Sequence, residues 1–158
     1  MKTTIIFLSL FALTFNSLSQ VENNKTVYYF IRHAETSHDG TNNPHLSSIG
    51  LNRVEKLVNY FESKTLNAVY STDYWRTKET AAPIADKKWL EIQIYDPRNW
   101  DFKKFISETK GKSILIVGHS NTTPMLVNTI LNQNKHGIIS ENDYGCVFVV
   151  EILENNEI

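Results

Sequence analysis

Two continuous apolar runs decide the fold of this chain, VYYFI at residues 27–31 and ILIVG at residues 114–118. Neither run alternates apolar with polar residues, so both faces of each strand are predicted to be buried. Strands of this kind are typical of a parallel sheet that helices cover on both sides. Each run ends abruptly at reactive side chains, Arg32 and His33 in the first and His119 in the second. The sequence therefore predicts that the chemistry of the protein lies where these strands end.

Further strands and helices alternate around these two runs. Strands are predicted at Thr26–Ile31, Ala68–Ser71, Ile92–Tyr95, Ser113–Val117 and Cys146–Leu153. Between Ile49 and Phe61, apolar residues recur at three- and four-residue steps and predict a helix. Further helices are predicted over Thr77–Lys88, Phe102–Thr109 and Thr122–Asn132. Pro83 predicts a kink or a break in the second helix. The alternation predicts an α/β domain, a three-layer sandwich in which helices cover both faces of a mostly parallel central sheet.

The N-terminal residues have the pattern of a secretory signal peptide. Lys2 is followed by an apolar stretch, Ile5–Phe15, and then by the small residues Ser17 and Ser19. The apolar stretch is shorter than the ~20 residues that cross a bilayer. We therefore expect residues 1–19 to be cleaved as a signal peptide, and residues 20–158 to form a single domain. The alternatives are a retained membrane anchor and a buried N-terminal helix.

The composition and the predicted signal peptide limit the possible localisation and partners of the protein. An exported chain would be periplasmic or extracellular, with no stable membrane anchor after cleavage. The formal net charge of −1 gives no basis for a nucleic-acid partner. The single cysteine, Cys146, cannot form an internal disulfide, so stability is expected to come from packing. His38, Asp39 and His45 share one loop, but their irregular spacing does not predict a metal site.

Four basic side chains follow three of the predicted strands. Arg32 and His33 follow the first strand, Arg76 comes soon after the second, and His119 follows the fourth. Ligands of open α/β sheets bind beyond the carboxyl ends of the strands, so these side chains are expected to meet in one pocket. Guanidinium groups match phosphate oxygens two at a time, and an imidazole can attack phosphorus as a nucleophile. Asn121 is predicted to cap a helix whose free N–H groups point at the same pocket.

The segments that carry these residues resemble those of the histidine phosphatase superfamily, also called phosphoglycerate mutase-like proteins. The resemblance rests on IRHAE (residues 31–35), LSSIGLNR (46–53), VYSTDYWRTKETA (69–81) and ILIVGHSN (114–121), in this order. By matching position, it implies that His33 is the histidine that becomes phosphorylated. It implies that Arg32, Arg76 and His119 are the partners of the phosphate, and that neither a metal nor a cofactor is needed.

The length of the chain indicates which branch of the family it resembles. The segment between Arg76 and His119 is too short for the long insertion that caps the site in many mutases and large acid phosphatases. The chain therefore resembles the short single-domain members, including bacterial phosphohistidine phosphatases. We expect an exported phosphatase that hydrolyses phosphomonoesters or phosphoramidates and acts on a phosphorylated small molecule or a phosphoprotein. A phosphotransferase of the phosphoglycerate mutase type and a non-catalytic phosphate-binding protein are the alternatives.

A proton donor for the leaving group is the least defined part of the predicted site. Similar proteins often place an acid after the third strand, a stretch that reads YDPRNWDF here (residues 95–102). Asp101 matches that acid by its offset from the Asp-Pro-Arg turn, although aspartate replaces the usual glutamate. Asp96 is the rival candidate. If neither carboxyl reaches the pocket, substrates with good leaving groups are expected to be preferred.

Overall fold

The computed structural model of the chain describes residues 25–153, and the predicted signal peptide lies outside the described residues. Within that range the elements are β1 (Thr26–Arg32), α1 (Ser48–Glu62), β2 (Ala68–Ser71), α2 (Trp75–Lys87), β3 (Ile92–Ile94), α3 (Phe102–Glu108), β4 (Ser113–Gly118), α4 (Thr122–Leu131) and β5 (Val147–Ile152). None of the helices in this range is long and apolar enough to span a bilayer.

The strands form one mixed sheet in the order β3-β2-β4-β1-β5. The pairs β3-β2, β2-β4 and β4-β1 are parallel, and only the last pair, β1-β5, is antiparallel. The strands predicted from continuous apolar runs, β1 and β4, lie side by side inside the sheet, where neighbouring strands and both helix layers bury them. The predicted α/β fold with a mostly parallel sheet is confirmed.

Helices cover the two faces of the sheet in pairs. Phe30 and Ile116 project from the strands into one buried cluster with apolar residues of α3 and α4. Their chain neighbours Ile31 and Val117 project into the opposite cluster with residues of α1 and α2. Successive strand side chains point to opposite faces, so a strand buried on both sides needs an apolar residue at every position. This requirement explains the continuous runs in the sequence.

The first helix is fixed against the segment that follows β1. The side chain of Ser47 caps α1 by accepting a hydrogen bond of 3.1 Å from the backbone N–H of Gly50. Gly50 packs so closely that a Cβ atom there would collide with the carbonyl oxygen of Glu35. The Glu35 carboxylate also accepts hydrogen bonds of 2.9 and 2.8 Å from Nε of Arg53. Glycine at position 50 therefore lets α1 approach the residues next to His33.

The second helix continues through Pro83 rather than breaking there. Proline removes one helical hydrogen bond, which is the reason a kink or a break was expected. However, Ala81, Ile84 and Ala85 around it are at most 1% exposed and pack on the sheet. The burial of this apolar face outweighs the lost hydrogen bond, because tertiary packing supplies most of the stability of a helix in a protein.

Candidate active site

A cavity of about 840 Å³ opens where β1, β2 and β4 end. Its wall includes the four basic residues that were predicted to meet, Arg32, His33, Arg76 and His119. This volume lies in the range of small-molecule sites and leaves room for more than a phosphate group. The structure therefore brings two guanidinium groups and two imidazoles together at one edge of the sheet.

The parallel pairing of β1 and β4 sets the two histidines side by side. Arg32 is the register partner of Gly118, and the backbone N–H of His33 donates a 3.0 Å hydrogen bond to the carbonyl of Gly118. His33 and His119 leave the sheet together, with ring centroids 5.4 Å apart. Arg76 reaches them from the first turn of α2. Residues far apart in the chain thus meet because their strands are neighbours.

Hydrogen bonding fixes which nitrogen of His33 carries the proton. Its Nδ1 lies 2.8 Å from the carbonyl oxygen of Ala34, and a carbonyl can only accept, so Nδ1 is the protonated nitrogen. Nε2 therefore keeps its lone pair. Burial lowers the pKa of His33 to about 4, and the charges of Arg76 and Arg32 act in the same direction. The hydrogen bond to Ala34 opposes this shift only in part. At neutral pH His33 is an uncharged imidazole with a free Nε2, the state that a nucleophile requires.

The second imidazole has the opposite tautomer. Nη2 of Arg76 faces Nδ1 of His119 at 3.5 Å, so Nδ1 is an acceptor and Nε2 carries the proton. That Nε2 donates to Oγ1 of Thr72 at 2.9 Å, and the Thr72 hydroxyl donates onward to Oγ1 of Thr77 at 3.0 Å. Burial lowers the pKa of His119 to about 3, assisted by the charge of Arg76. A phosphate dianion placed between the arginines would oppose these effects and raise the pKa.

The last loop of the described chain, residues 140–144, holds the guanidinium of Arg32. Nη1 donates to the carbonyl oxygens of Ser140, Glu141 and Asp143 at 2.8, 3.1 and 3.1 Å. Nη2 donates to the carboxylate oxygen Oε2 of Glu141 at 2.8 Å. The ring of Tyr144 lies against the guanidinium, with Cζ 4.0 Å from the ring centroid. Arg32 is 4% exposed, so its orientation is set by this loop as well as by β1.

Arg76 lies in a more open part of the wall. Its guanidinium stacks over the ring of Tyr74 at 4.4 Å and donates to the carbonyl of Asn42 at 3.4 Å. Asn43 ties the same loop to α2, because its Oδ1 accepts a 2.9 Å hydrogen bond from the backbone N–H of Trp75. The loop after His33 therefore forms the rim on the side of Arg76.

The two carboxyl groups considered as proton donors differ in position. Asp96 lines the cavity, but its carboxylate binds the guanidinium of Arg98 at 3.0 and 3.1 Å, and these bonds lower its pKa below the ordinary range. Asp101 is not part of the cavity wall. Its Oδ1 accepts from the backbone N–H of Lys104 at 3.0 Å and caps α3. Neither carboxyl is therefore well suited to give a proton to a leaving group at neutral pH.

The start of α4 borders the cavity, as the sequence predicted. Asn121 is the N-cap of α4 and lines the cavity together with Ser120 and Thr122. Its Oδ1 accepts from the backbone N–H of Thr122 at 2.8 Å. An anion in the cavity would lie near the positive end of this helix.

Among the wall residues that the sequence did not single out are Thr72, Tyr74, Glu141 and Tyr144. Thr72 and Tyr74 lie inside the motif VYSTDYWRTKETA (residues 69–81), and their nearness to Arg76 in the sequence was the only indication that they line the site. The other two lie in a polar segment without a motif. Glu141 and Tyr144 could have been identified only if the antiparallel pairing of β5 with β1 had been known, because that pairing brings the residues before Val147 next to the end of β1.

Among residues 25–153, no group of three or more histidine, cysteine, aspartate and glutamate side chains is arranged to hold a metal ion. His45 instead contacts the carboxylate of Glu79 and stacks on Trp75, with ring centroids 5.2 Å apart.

Comparison with known proteins agrees with this geometry. Residues 28–102 match the histidine phosphatase superfamily (branch 1). No curated protein sequence matches the chain. A structure from Escherichia coli str. K-12 substr. MG1655, provisionally assigned as an alpha-ribazole-5'-P phosphatase, has a TM-score of 0.65 at 17% identity and covers 82% of this chain and 91% of its own.

Two further structures share the fold. The protein histidine phosphatase SixA, solved with tungstate, has a TM-score of 0.63 at 15% identity and covers 82% of this chain and 90% of its own. A phosphoglycerate mutase from Bacillus anthracis str. Sterne has a TM-score of 0.62 at 12% identity and covers 84% of this chain and 90% of its own.

A doubly covered α/β sheet, with an arginine–histidine pair and a second histidine at the carboxyl ends of adjacent strands, defines a histidine-dependent phosphatase. With the match over residues 28–102, the resemblance seen in the sequence is confirmed. The matched part of the chain, residues 28–102, belongs to the histidine phosphatase superfamily.

Proposed function

We propose that this protein hydrolyses phosphomonoesters or phosphoramidates through a phosphohistidine intermediate on His33. The observation that carries this proposal is the state of that imidazole. Its Nδ1 proton is committed to the carbonyl of Ala34, and its Nε2 lone pair is free in a cavity that also holds Arg32 and Arg76. A nucleophile that needs no deprotonation, next to two cations, suits attack on a phosphate dianion.

In the first step, the lone pair of His33 Nε2 attacks phosphorus and the bond from phosphorus to the leaving group breaks. The leaving group departs with the electron pair. Arg32, Arg76 and His119 hold the remaining phosphate oxygens and stabilise the charge on them. Positioned cations of this kind are worth roughly 10³–10⁵-fold in related phosphoryl transfers.

In the second step, a water molecule attacks the phosphorus of phospho-His33 and the P–N bond breaks. Nε2 recovers its electron pair, and the imidazole returns to its starting tautomer. One proton of the water stays on the released inorganic phosphate, and the other passes through solvent to the departed leaving group. The hydrogen bond from Nδ1 to Ala34 stabilises the imidazole as its charge changes in both steps.

The carboxyl groups near the cavity point to a class of substrate. The carboxylate of Asp96 is committed to Arg98, that of Glu141 is committed to Arg32, and Asp101 caps a helix outside the cavity wall. A leaving group that needs no strong acid is therefore favoured, as in phosphohistidine and other phosphoramidates. A protein histidine phosphatase with the same fold, SixA, supports this choice.

Phosphate release from phosphohistidine and from a series of aryl phosphates tests the proposal. We expect H33A to lose at least about 10³-fold in kcat, since removal of a nucleophile leaves only the binding contribution. H38A, which removes an exposed histidine outside the cavity wall, should retain full activity. The rates should fall steeply as the leaving-group pKa rises. Equal activity of H33A and the unaltered protein would contradict the mechanism, and rates independent of leaving-group pKa would contradict the substrate class.

We also propose that the protein is exported to the periplasm or the extracellular space. The N-terminal sequence supports this, with a lysine, a short apolar stretch and small residues before Gln20. The N-terminus of the protein isolated from its native cells provides the test. A chain that begins at Gln20 in the periplasmic or culture fraction is expected, whereas a cytoplasmic chain that retains residues 1–19 would contradict export.

A further inference from the structure

The carboxylate of Glu141 lies in the wall of the cavity and binds Arg32, one of the proposed partners of the phosphate. Its Oε2 accepts from Nη2 of Arg32 at 2.8 Å, and its Oε1 accepts from Oγ of Ser120 at 3.1 Å. It also lines the cavity with His33 and His119. A carboxylate that bridges two donors in this way resembles a phosphate in the sign of its charge and in its pair of acceptor oxygens.

Of the hydrogen-bond partners of Arg32, only the Glu141 side chain can be replaced by a phosphate oxygen without movement of the loop. Nη1 is held by three backbone carbonyls, which cannot leave unless the loop itself moves. Nε is buried and has no hydrogen-bond partner within residues 25–153. The partner of Nη2 is different, because the side chain of Glu141 is 77% exposed and can rotate into solvent. Displacement of Glu141 is therefore the least disruptive way for a phosphate oxygen to reach Arg32.

We propose that Glu141 is an internal competitor of phosphate that sets how tightly the pocket holds its anion. An incoming dianion displaces the carboxylate from Arg32 and Ser120, and the carboxylate returns when inorganic phosphate leaves. The dianion wins this exchange because it carries more charge and also engages Arg76 and His119, which Glu141 does not contact. This inference rests on the proposed function, since it assumes that the pocket binds phosphate.

The role matters for turnover. Two arginines and a helix N-terminus would bind the product phosphate as well as the phosphate of the substrate, and slow product release limits many enzymes. A carboxylate that reclaims Arg32 lowers the affinity for both. It also disfavours substrates that carry a second anionic group near the mouth of the cavity, because like charges there repel.

Isothermal titration of the full chain with inorganic phosphate tests this directly. E141Q keeps the size of the side chain and removes its charge, and we expect it to bind phosphate about tenfold more tightly, about 1.4 kcal/mol. Inhibition of turnover by phosphate should strengthen by the same factor. E55Q is the matched control, because Glu55 is exposed on α1 outside the cavity wall, and its affinity for phosphate should stay unchanged.

The possible outcomes separate this inference from the function on which it rests. Phosphate binding that E141Q leaves unchanged or weakens would overturn the inference alone. E141Q that binds phosphate no more tightly but hydrolyses only good leaving groups would assign Glu141 as the proton donor, which also overturns it. Undetectable phosphate binding by the unaltered protein, E141Q and E55Q alike would overturn both the inference and the phosphatase function.

Discussion

Two imidazoles of opposite tautomer form the centre of the site at the scale of single residues. His33 presents a free Nε2 because its Nδ1–H donates to the carbonyl of Ala34, and His119 presents Nδ1 because its Nε2–H donates to the hydroxyl of Thr72. Both are neutral at neutral pH, since burial and the nearby arginines lower their pKa values. One imidazole thus presents a free lone pair to the cavity, and the other can gain a proton when an anion binds.

The hydrogen bond between Thr72 and His119 is expected to affect both stability and catalysis. Thr72→Val keeps the shape of a 2%-exposed side chain but leaves Nε2 of His119 without its acceptor. We expect about 1 kcal/mol of stability to be lost and kcat to fall about tenfold, because the ring is no longer held in one tautomer. Chemical denaturation and steady-state kinetics measure the two effects. Thr129→Val, an exposed position on α4, is the control. Unchanged kcat in Thr72→Val would show that this hydrogen bond does not position His119.

The sequence identified His33, Arg32, Arg76 and His119 because each lies in a motif at the end of an apolar run. It missed Glu141 and Tyr144, which contact Arg32 from a loop without any motif. Their position depends on β5 pairing antiparallel to β1, and no local pattern encodes which edge of a sheet the last strand joins. Asp101 could be matched only by offset, and its hydrogen bond to Lys104 depends on where α3 begins.

Helix α1 is held against the residues that follow His33 by close backbone contacts. Gly50 on α1 packs on the carbonyl of Glu35, and Ser47 binds the same carbonyl through its backbone N–H at 2.9 Å. Gly50→Ala should destabilise the protein by about 1–3 kcal/mol, because the added Cβ forces the helix away from the backbone. Gly137→Ala is the control, since no atom lies within 4 Å of a Cβ there. Urea unfolding provides the measurement, and equal midpoints for both variants would contradict this packing.

The N-cap of the short helix α3 is expected to contribute to stability and not to catalysis. Asp101→Ala removes the cap on the backbone N–H of Lys104 and should cost about 1 kcal/mol, whereas Asp101→Asn keeps an acceptor and should cost only a few tenths. Because Asp101 lies outside the cavity wall, neither change should alter hydrolysis of substrates with poor leaving groups. Loss of that activity alone in Asp101→Asn, with stability intact, would identify Asp101 as the proton donor.

The sequence predicted all the described helices and strands, because most elements contribute a buried face whose pattern is visible in it. The short edge strand β3 has no such face, since Gln93 and Ile94 are exposed. At Pro83 the sequence predicted a kink or a break, and the break does not occur, because the burial of Ala81, Ile84 and Ala85 keeps α2 continuous. Local rules fail where tertiary packing supplies the larger free energy.

Stability of the whole molecule should depend on pH because the site keeps its histidines neutral. The pKa of His33 is about 4 in the folded protein and about 6.5 in the unfolded chain. As the pH falls from 6.5 to 4, the unfolded chain gains a proton that folded His33 does not bind, so the free energy of unfolding decreases. His33 alone accounts for about 3 kcal/mol over this window.

Denaturant unfolding at a series of pH values measures this effect. The unaltered protein should lose more stability than His33→Asn between pH 6.5 and pH 4, and the two curves should run parallel above that window. Parallel curves throughout would mean that His33 takes up its proton as readily in the folded protein as in the unfolded chain.

Chemical quenching of turnover, followed by identification of the phosphorylated residue, shows whether His33 is the nucleophile. With a radioactive phosphodonor, we predict a label that is lost in acid, retained in alkali, located on His33 and absent from H33A. An acid-stable label, a label on another residue, or sustained hydrolysis by H33A would contradict the claim that His33 attacks phosphorus.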